Sequence, residues 1–94
     1  PIKTNSEIIV CNVGDMLERL TNDKLKSTTH RVNNPIKSKM SKSRFSMPFF
    51  LHLNPDHLIE TLSHCIDDKN PNKYKEPITA DDFLKIRLKE INLN

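Results

Sequence analysis

The sequence has little glycine and few aromatic residues: one Gly, no Trp, four Phe and one Tyr in 94 positions. Such scarcity is unusual for a β protein that folds by itself, because turns use glycine and cores use aromatic rings. A domain of this size buries only about 60 to 68% of the surface that its unfolded chain exposes. We therefore expect a modest core and a chain that is part of a larger domain.

The sequence also lacks long apolar runs and paired cysteines. No run approaches the ~20 apolar residues that a membrane span needs, and no apolar leader follows Pro1, which predicts a soluble protein with no membrane partner. Cys11 and Cys65 lie far apart without CxxC spacing. They predict free thiols in a reducing cytoplasm, with Cys11 buried because it lies in an apolar run.

The charge excess is small, with 15 Lys and Arg against 12 Asp and Glu. The basic residues cluster once, at Lys37, Lys39, Lys42 and Arg44. No aromatic residue is interleaved with them until Phe45, so the cluster favours a solvated loop over a phosphate-binding patch. We expect no nucleic-acid partner.

The first elements predicted are a buried strand and a short helix. Residues 7–13, EIIVCNV, form a continuous apolar, β-branched run that predicts a strand buried on both faces and ended by Gly14. In DMLERLTND, Met16, Leu17 and Leu20 have helical spacing over barely two turns. The helix ends at Asn22-Asp23, a pair that tolerates left-handed backbone geometry.

Two further strands follow, separated by a long loop over residues 35–42. Residues 25–32, LKSTTHRV, predict a polar strand ended by Asn33-Asn34-Pro35. From Arg44 to Leu53 the period is two, as in a strand. One face has Phe45, Met47, Phe49, Leu51 and Leu53, and the other has Arg44, Ser46, Pro48, Phe50 and His52.

The same alternation makes Arg44 and Ser46 neighbours on one face, about 7 Å apart at ~3.3 Å per residue. A guanidinium fork and a hydroxyl together suit a carboxylate. An exposed strand arginine beside a filler serine is the plainer interpretation, and periodicity alone does not separate the two.

The C-terminal third predicts a polar loop and one clear helix. Residues 58–78 are polar and include DDKNPNKYKEP, which predicts a loop with little to bury. Thr79 to Ile91 predicts a helix, with a Thr79-x-x-Asp82 N-cap pattern and an apolar stripe of Leu84, Leu88 and Ile91. We expect this helix to dock on the sheet.

An ordered set of short motifs now identifies a resemblance. The motifs are Asn12-x-Gly14-Asp15, Thr21-Asn22, Lys26-Ser27-Thr28, His30-Arg31-Val32, Arg44-x-Ser46 and Phe49-Phe50. In this order the chain from about Ile8 to Leu53 resembles the C-terminal part of the isopenicillin N synthase-like non-haem iron oxygenases, most of which use 2-oxoglutarate. A weaker similarity continues to the terminal helix.

The resemblance implies specific roles. His30 would be the distal histidine of a two-histidine, one-carboxylate iron triad, which leaves three metal positions open for cosubstrate and O2. Arg44 and Ser46 would hold the far carboxylate of 2-oxoglutarate, although some relatives place a substrate carboxylate there. The cofactors implied are Fe(II), 2-oxoglutarate and O2.

The sequence departs from the family pattern in three places. Asp23 stands where glycine is common, and Pro48 lies in a strand where a ladder donor would be missed. The family's upstream His-x-Asp pair is absent from these 94 residues. His52-Leu53-Asn54 follows His30 instead of preceding it and lacks the carboxylate, so we reject it, and we expect His57 and His64 to be solvated.

The resemblance implies a mainly β fold with a C-terminal helix, the C-terminal portion of a double-stranded β-helix, or jelly roll. Residues 1–57 would be jelly-roll strands, 58–78 a polar loop, and 79–94 the helix and tail. The parent would oxidise an unactivated C–H bond of a small-molecule substrate, with hydroxylation, desaturation and ring closure equally open. The isolated chain, lacking the remainder of the parent domain, would be inactive and prone to self-association.

Two alternatives remain from the residues themselves. One is a non-catalytic β module in which Arg44, Ser46 and the basic cluster capture an anion or nucleic acid. The other is a structural zinc site joining His30 to Cys11 or Cys65, which no ligand spacing supports.

Overall fold

The computed structural model describes residues 5–92, in which short elements are separated by long irregular segments. In chain order the elements are helix α1 (Asp15–Leu20), strand β1 (Leu58–Ile59), strand β2 (Ile78–Thr79) and helix α2 (Ala80–Glu90), with 3-10 turns at Lys37–Lys39 and Ser63–Cys65. Neither helix is long and apolar enough to cross a membrane. The described chain therefore has few strands and a C-terminal helix.

Helix α1 and its left-handed end are confirmed. Gly14 occupies the N-cap, and Thr21 closes the last turn. Asn22 and Asp23 have φ values of 52° and 62°. Asparagine and aspartate enter this region more readily than other non-glycine residues, so Asp23 fits a turn position where glycine is common.

Helix α2 is also confirmed, together with its cap. The Thr79 hydroxyl accepts from the Asp82 backbone N–H at 3.2 Å and donates to the Asp82 carboxylate at 2.7 Å. The cap satisfies one of the amide groups that a helix N-terminus leaves free. Ala80 is buried, and α2 follows β2 directly in the chain.

The core contains residues that the sequence did not predict to be buried. Strands β1 and β2 are antiparallel, with Leu58 opposite Thr79 and Ile59 opposite Ile78. The buried apolar residues are Ile59, Cys65 and Ala80. Ile59 and Cys65 belong to segment 58–78, whereas none of residues 67–77, DDKNPNKYKEP, is buried, as expected for a loop with little to bury. Whether 1–57, 58–78 and 79–94 are the right divisions stays a prediction.

The three long strands expected at 7–13, 25–32 and 44–53 do not form in the described part of the chain. A strand is stabilised by ladder hydrogen bonds to a neighbour, and within residues 5–92 no other segment supplies one to these three. Both faces of the alternating segment are consequently exposed, with Phe45 at 93% on one face and Phe50 at 75% on the other.

Cys11 differs from its expected burial in the same way. Its thiol is exposed, whereas the thiol of Cys65 is buried. Ile8, Ile9 and Val10 are exposed as well. The apolar run at residues 7–13 can form a buried strand only where another part of the protein covers it, and no residue in the described range 5–92 does so.

Candidate functional site

His30 lies on an exposed segment three residues beyond the last residue tied to a helix. Its Nδ1 atom is 3.0 Å from the Thr28 carbonyl oxygen. A carbonyl oxygen can only accept, so this contact places a hydrogen on Nδ1, and the tautomer of the neutral ring that has this hydrogen has its lone pair on Nε2. This arrangement resembles that of a metal-binding histidine, in which one ring nitrogen binds the metal and the other donates to a backbone carbonyl.

Arg44 and Ser46 are exposed and make no hydrogen bond to another described residue. Neither side chain is joined to His30 by a hydrogen bond or ion pair. Among residues 5–92 no group of three His, Cys, Asp or Glu side chains is close enough to hold a metal ion. His57 and His64 are exposed. These residues provide one candidate metal ligand and one candidate carboxylate-binding pair.

A cluster of hydrogen bonds is centred on Asn22, which is completely buried. Its Nδ2 lies 3.3, 3.0 and 3.1 Å from the carbonyl oxygens of Cys65, Asn70 and Pro71. Its Oδ1 accepts from the Lys73 backbone N–H at 3.0 Å. Asn70 reciprocates by donating to the Asn22 carbonyl at 3.1 Å. The turn after α1 is thus bound to the distant segment 65–73.

Asp23 forms a second contact to that segment. It accepts from the Tyr74 hydroxyl at 2.5 Å and from Lys73 Nζ at 2.9 Å. The hydrogen bond from Lys73, followed by that from Tyr74, holds the pKa of Asp23 below its usual value. The same hydrogen bond to Asp23, together with burial, raises the pKa of Tyr74 to about 12.

Arg19 packs between two aromatic rings under this cluster. Its guanidinium carbon is 4.7 Å from the centroid of Tyr74 and 5.8 Å from that of Phe83. Its Nη2 donates to the Glu76 carbonyl at 2.6 Å. Stacking of this kind contributes about 0.5–1 kcal/mol at exposed sites and more when water is excluded. Arg19 therefore connects α1 to α2 and to the segment before β2.

Asp15 connects α1, α2 and the segment that leads to His30. Its Oδ1 accepts from the Ser27 hydroxyl at 2.5 Å. Its Oδ2 lies 2.8 Å from Arg87 Nε and 2.7 Å from Arg87 Nη2. The hydrogen bond from Ser27, assisted by Arg87, lowers the pKa of Asp15.

Two adjoining apolar hollows lie beside α1, with volumes of about 200 and 310 Å³. Both are lined by Met16, His52 and Leu53. The His52 ring makes an edge contact with Phe50, with 6.1 Å between centroids. Since apolar groups dominate the lining, the hollows suit packing and offer no set of metal ligands.

The sequence predicts site roles for His30, Arg44 and Ser46, which stay predictions, and it did not predict the contacts of Asp15, Asn22 and Asp23. A partial signal existed, because all three belong to the motifs or turn already singled out. Their partners in segment 65–74 and α2 could not be found by any local pattern.

Comparison with known proteins gives a consistent family. The sequence model of the 2OG-Fe(II) oxygenase superfamily matches residues 1–53. The 2-oxoglutarate-Fe(II) type oxidoreductase hxnY of Emericella nidulans is 41% identical over 76 residues, 81% of this chain and 20% of its own length. Proline hydroxylase buaE of Petromyces alliaceus is 38% identical over 82 residues, 85% of this chain and 26% of its own length.

A solved structure agrees with these relatives. The crystal structure of a 2OG-Fe(II) oxygenase family protein from Caulobacter crescentus is 55% identical and superimposes with a TM-score of 0.80. The match covers 85% of this chain and 26% of that one. The chain therefore spans about a fifth to a quarter of the length of the proteins that it matches.

Proposed function

Because the chain belongs to the 2OG-Fe(II) oxygenase superfamily, we propose that it is the C-terminal part of an enzyme that oxidises an unactivated C–H bond of a small molecule. The cofactors of this enzyme are Fe(II), 2-oxoglutarate and O2. Its remaining iron ligands belong to the rest of the parent. The proposal includes a cytoplasmic location and no nucleic-acid partner.

One observation carries the proposal: the orientation of the His30 ring. The Thr28 carbonyl holds Nδ1 at 3.0 Å and leaves Nε2 on an exposed edge. A neutral imidazole with one nitrogen fixed by a carbonyl is the usual state of a metal-binding histidine. His30 fits one position of an iron site that other residues of the parent complete.

Arg44 and Ser46 are the proposed carboxylate-binding pair. An arginine remains charged at any relevant pH and can form two parallel hydrogen bonds to a carboxylate. A serine hydroxyl adds a third donor. Neither side chain is engaged by another described residue, so both remain available to the far carboxylate of 2-oxoglutarate.

When bound, the iron would activate O2, and 2-oxoglutarate would supply two electrons as it becomes succinate and CO2. The residues of this chain bind and orient these groups. His30 donates a lone pair, whereas Arg44 and Ser46 neutralise and align the dicarboxylate. Phe50, which shares a face of the alternating segment with Arg44 and Ser46, would exclude water once it is covered.

The jelly-roll fold is part of the same proposal. The segment from Phe45 to Leu51 alternates as a strand does, yet both of its faces are exposed. Adjacent strands and a facing sheet in the parent would pair its backbone and bury its apolar face. The TM-score of 0.80 to a quarter of a solved oxygenase supports this arrangement.

Arg44→Ala in the parent tests the proposed cosubstrate site. Loss of one charge-assisted contact costs about 2 to 4 kcal/mol, which corresponds to about 30- to 1000-fold weaker 2-oxoglutarate binding. Iron affinity is expected to change far less. Titration of 2-oxoglutarate into the anaerobic Fe(II) enzyme measures both.

Lys39→Ala is the matched control, because Lys39 is an exposed member of the same basic cluster. It should leave 2-oxoglutarate binding unchanged. Equal affinity in the Arg44→Ala and wild-type enzymes would refute the assignment. Anion binding that ignores metal but weakens steeply with salt would instead favour the non-catalytic module.

A further inference from the structure

The Asp15 carboxylate uses each of its two oxygens for a different part of the chain. Oδ1 accepts from Ser27, and Oδ2 accepts from Arg87. Asp15 is the first residue of α1, and Arg87 lies in the last turn of α2. Ser27 belongs to neither helix. One carboxylate therefore ties the two helices to the irregular segment that continues to His30.

Arg87 is held in place before it reaches Asp15. Its Nη1 lies 2.6 Å from a Glu90 carboxylate oxygen, and its guanidinium carbon lies 6.0 Å from the Phe83 ring centroid. Because both of these partners belong to α2, the helix itself orients the arginine. A pre-oriented donor loses less side-chain entropy when it binds a carboxylate.

Hydrogen bonds hold the segment between α1 and His30 at Leu25 and at Ser27. The Thr21 hydroxyl accepts from the Leu25 backbone N–H at 3.2 Å, after the buried turn at Asn22. Ser27 is the last residue before His30 that is bound to a helix. Three residues after Ser27, the His30 ring has one hydrogen-bond contact, to the Thr28 carbonyl.

We propose that Arg87, Asp15 and Ser27, which we name the Asp15 bridge, are positioning residues that set the place of His30 in the metal site. The bridge touches neither metal nor cosubstrate. Because Asp15 and Arg87 belong to α1 and α2, the bridge fixes the backbone at Ser27, three residues before the proposed ligand His30. This inference rests on the proposed function, since it assumes that His30 binds the metal.

Ser27→Ala in the parent tests the bridge. Outer contacts that orient a metal-binding histidine change metal affinity by about 10- to 100-fold, and we expect the lower end, about tenfold, for this more remote contact. The readout is Fe(II) affinity by anaerobic calorimetry. Affinity for 2-oxoglutarate at saturating iron should stay at the wild-type value, since Arg44 and Ser46 are unaltered.

Ser27→Thr is the rescue variant, because it keeps the hydroxyl that donates to Asp15. Its iron affinity should return to within about twofold of wild type. Arg87→Gln breaks the same bridge from an exposed position on α2 and should also weaken iron binding. Combined with Ser27→Ala it should add little, because both changes disrupt one connection.

Lys85→Ala is the matched control on α2. It removes an exposed pair with Asp81, at 2.5 Å, that does not reach the His30 segment. Iron affinity should be unchanged. Lys85→Ala weakening iron as much as Arg87→Gln would overturn the inference, because the effect would then be a general one on α2.

His30→Ala separates failure of the bridge from failure of the proposed function. Full iron affinity in His30→Ala would refute the proposed function. Loss of iron binding in His30→Ala, with wild-type affinity in both Ser27→Ala and Arg87→Gln, would refute the bridge alone. If Ser27→Ala does not fold, Arg87→Gln decides the matter by itself.

Discussion

Asn22 shows which properties of a single residue can be predicted from the local sequence and which cannot. Its left-handed φ of 52° follows from local chemistry, since a short amide side chain tolerates this region. Its complete burial does not. The amide is satisfied by Cys65, Asn70, Pro71 and Lys73, which lie 43 to 51 positions further along the chain. The turn geometry of Asn22 can be predicted from the dipeptide Asn22-Asp23, whereas its burial depends on which distant segment packs against it.

His30 and Arg44 show the same division for the candidate site. The motifs in which they occur predict their roles, and the local Thr28 contact is compatible with one of them. The grouping of these residues into one site stays a prediction. It depends on neighbours that the described segments do not supply.

Tyr74 provides a spectroscopic test at the residue scale. It is the only tyrosine, and no tryptophan is present, so phenolate absorbance in this chain reports on Tyr74 alone. Its hydrogen bond to Asp23 raises its pKa to about 12. We expect an alkaline titration of the folded chain to show this value, and Asp23→Asn to return the midpoint toward the ordinary value near 10.0.

The sign of the linked stability follows from the direction of the shift. A pKa raised in the folded state favours the protonated phenol there, so its contribution is complete below about pH 10 and is lost as pH rises through about 12. Tyr74→Phe should remove this part of the pH dependence. A folded chain whose tyrosine titrates with the same midpoint as in urea would contradict the Asp23 contact.

At the scale of elements, helices were predictable and strands were not. Helix α2 follows from signals within its own sequence: a threonine cap, acidic residues in the first turn and apolar residues at helical spacing. A strand needs a partner, and the segment 44–53 has the correct alternation without one among residues 5–92. The two strands that do form, β1 and β2, have two residues each, too few for an alternating pattern to predict them.

Thr79→Ala tests the cap of α2. Removing the hydroxyl that accepts from Asp82 is expected to lower the free energy of unfolding by about 1 kcal/mol. Urea denaturation followed by circular dichroism measures the change. Thr79→Ser keeps the hydroxyl and is the control, since it alters the same position in β2. Equal losses in both variants would assign the effect to the strand pair instead of the cap.

The whole molecule is open for its length. Its radius of gyration is 17.1 Å, with extents of 51 × 32 × 22 Å, whereas a compact domain of this size has a value of about 12 Å. The excess comes from segments whose apolar side chains are exposed. They include Ile9, Val32, Phe45, Met47, Phe49 and Leu51. An exposed apolar surface of this kind favours association.

We expect the isolated 94-residue chain to self-associate for this reason. Light scattering should show a mass that rises with concentration, and replacing Phe45 and Phe49 by serine should reduce it. Ile86→Ser is the control, because Ile86 is an exposed apolar residue on α2, outside the alternating segment. A monodisperse monomer with cooperatively protected amides in 44–53 would disprove both the expectation and the inferred strand arrangement.

The long reach of the contacts around Asn22, Asp23 and Asp15 has a consequence for the order of events during synthesis. The ribosome makes His30 well before segment 65–74, and Arg87 later still, 72 positions after its partner Asp15. Closing loops of such length is slow compared with forming a helix. The nascent chain therefore contains His30 long before Arg87 is made and the proposed Asp15 bridge can form. A premature stop that removes only the last turn of α2 would leave His30 translated without this bridge.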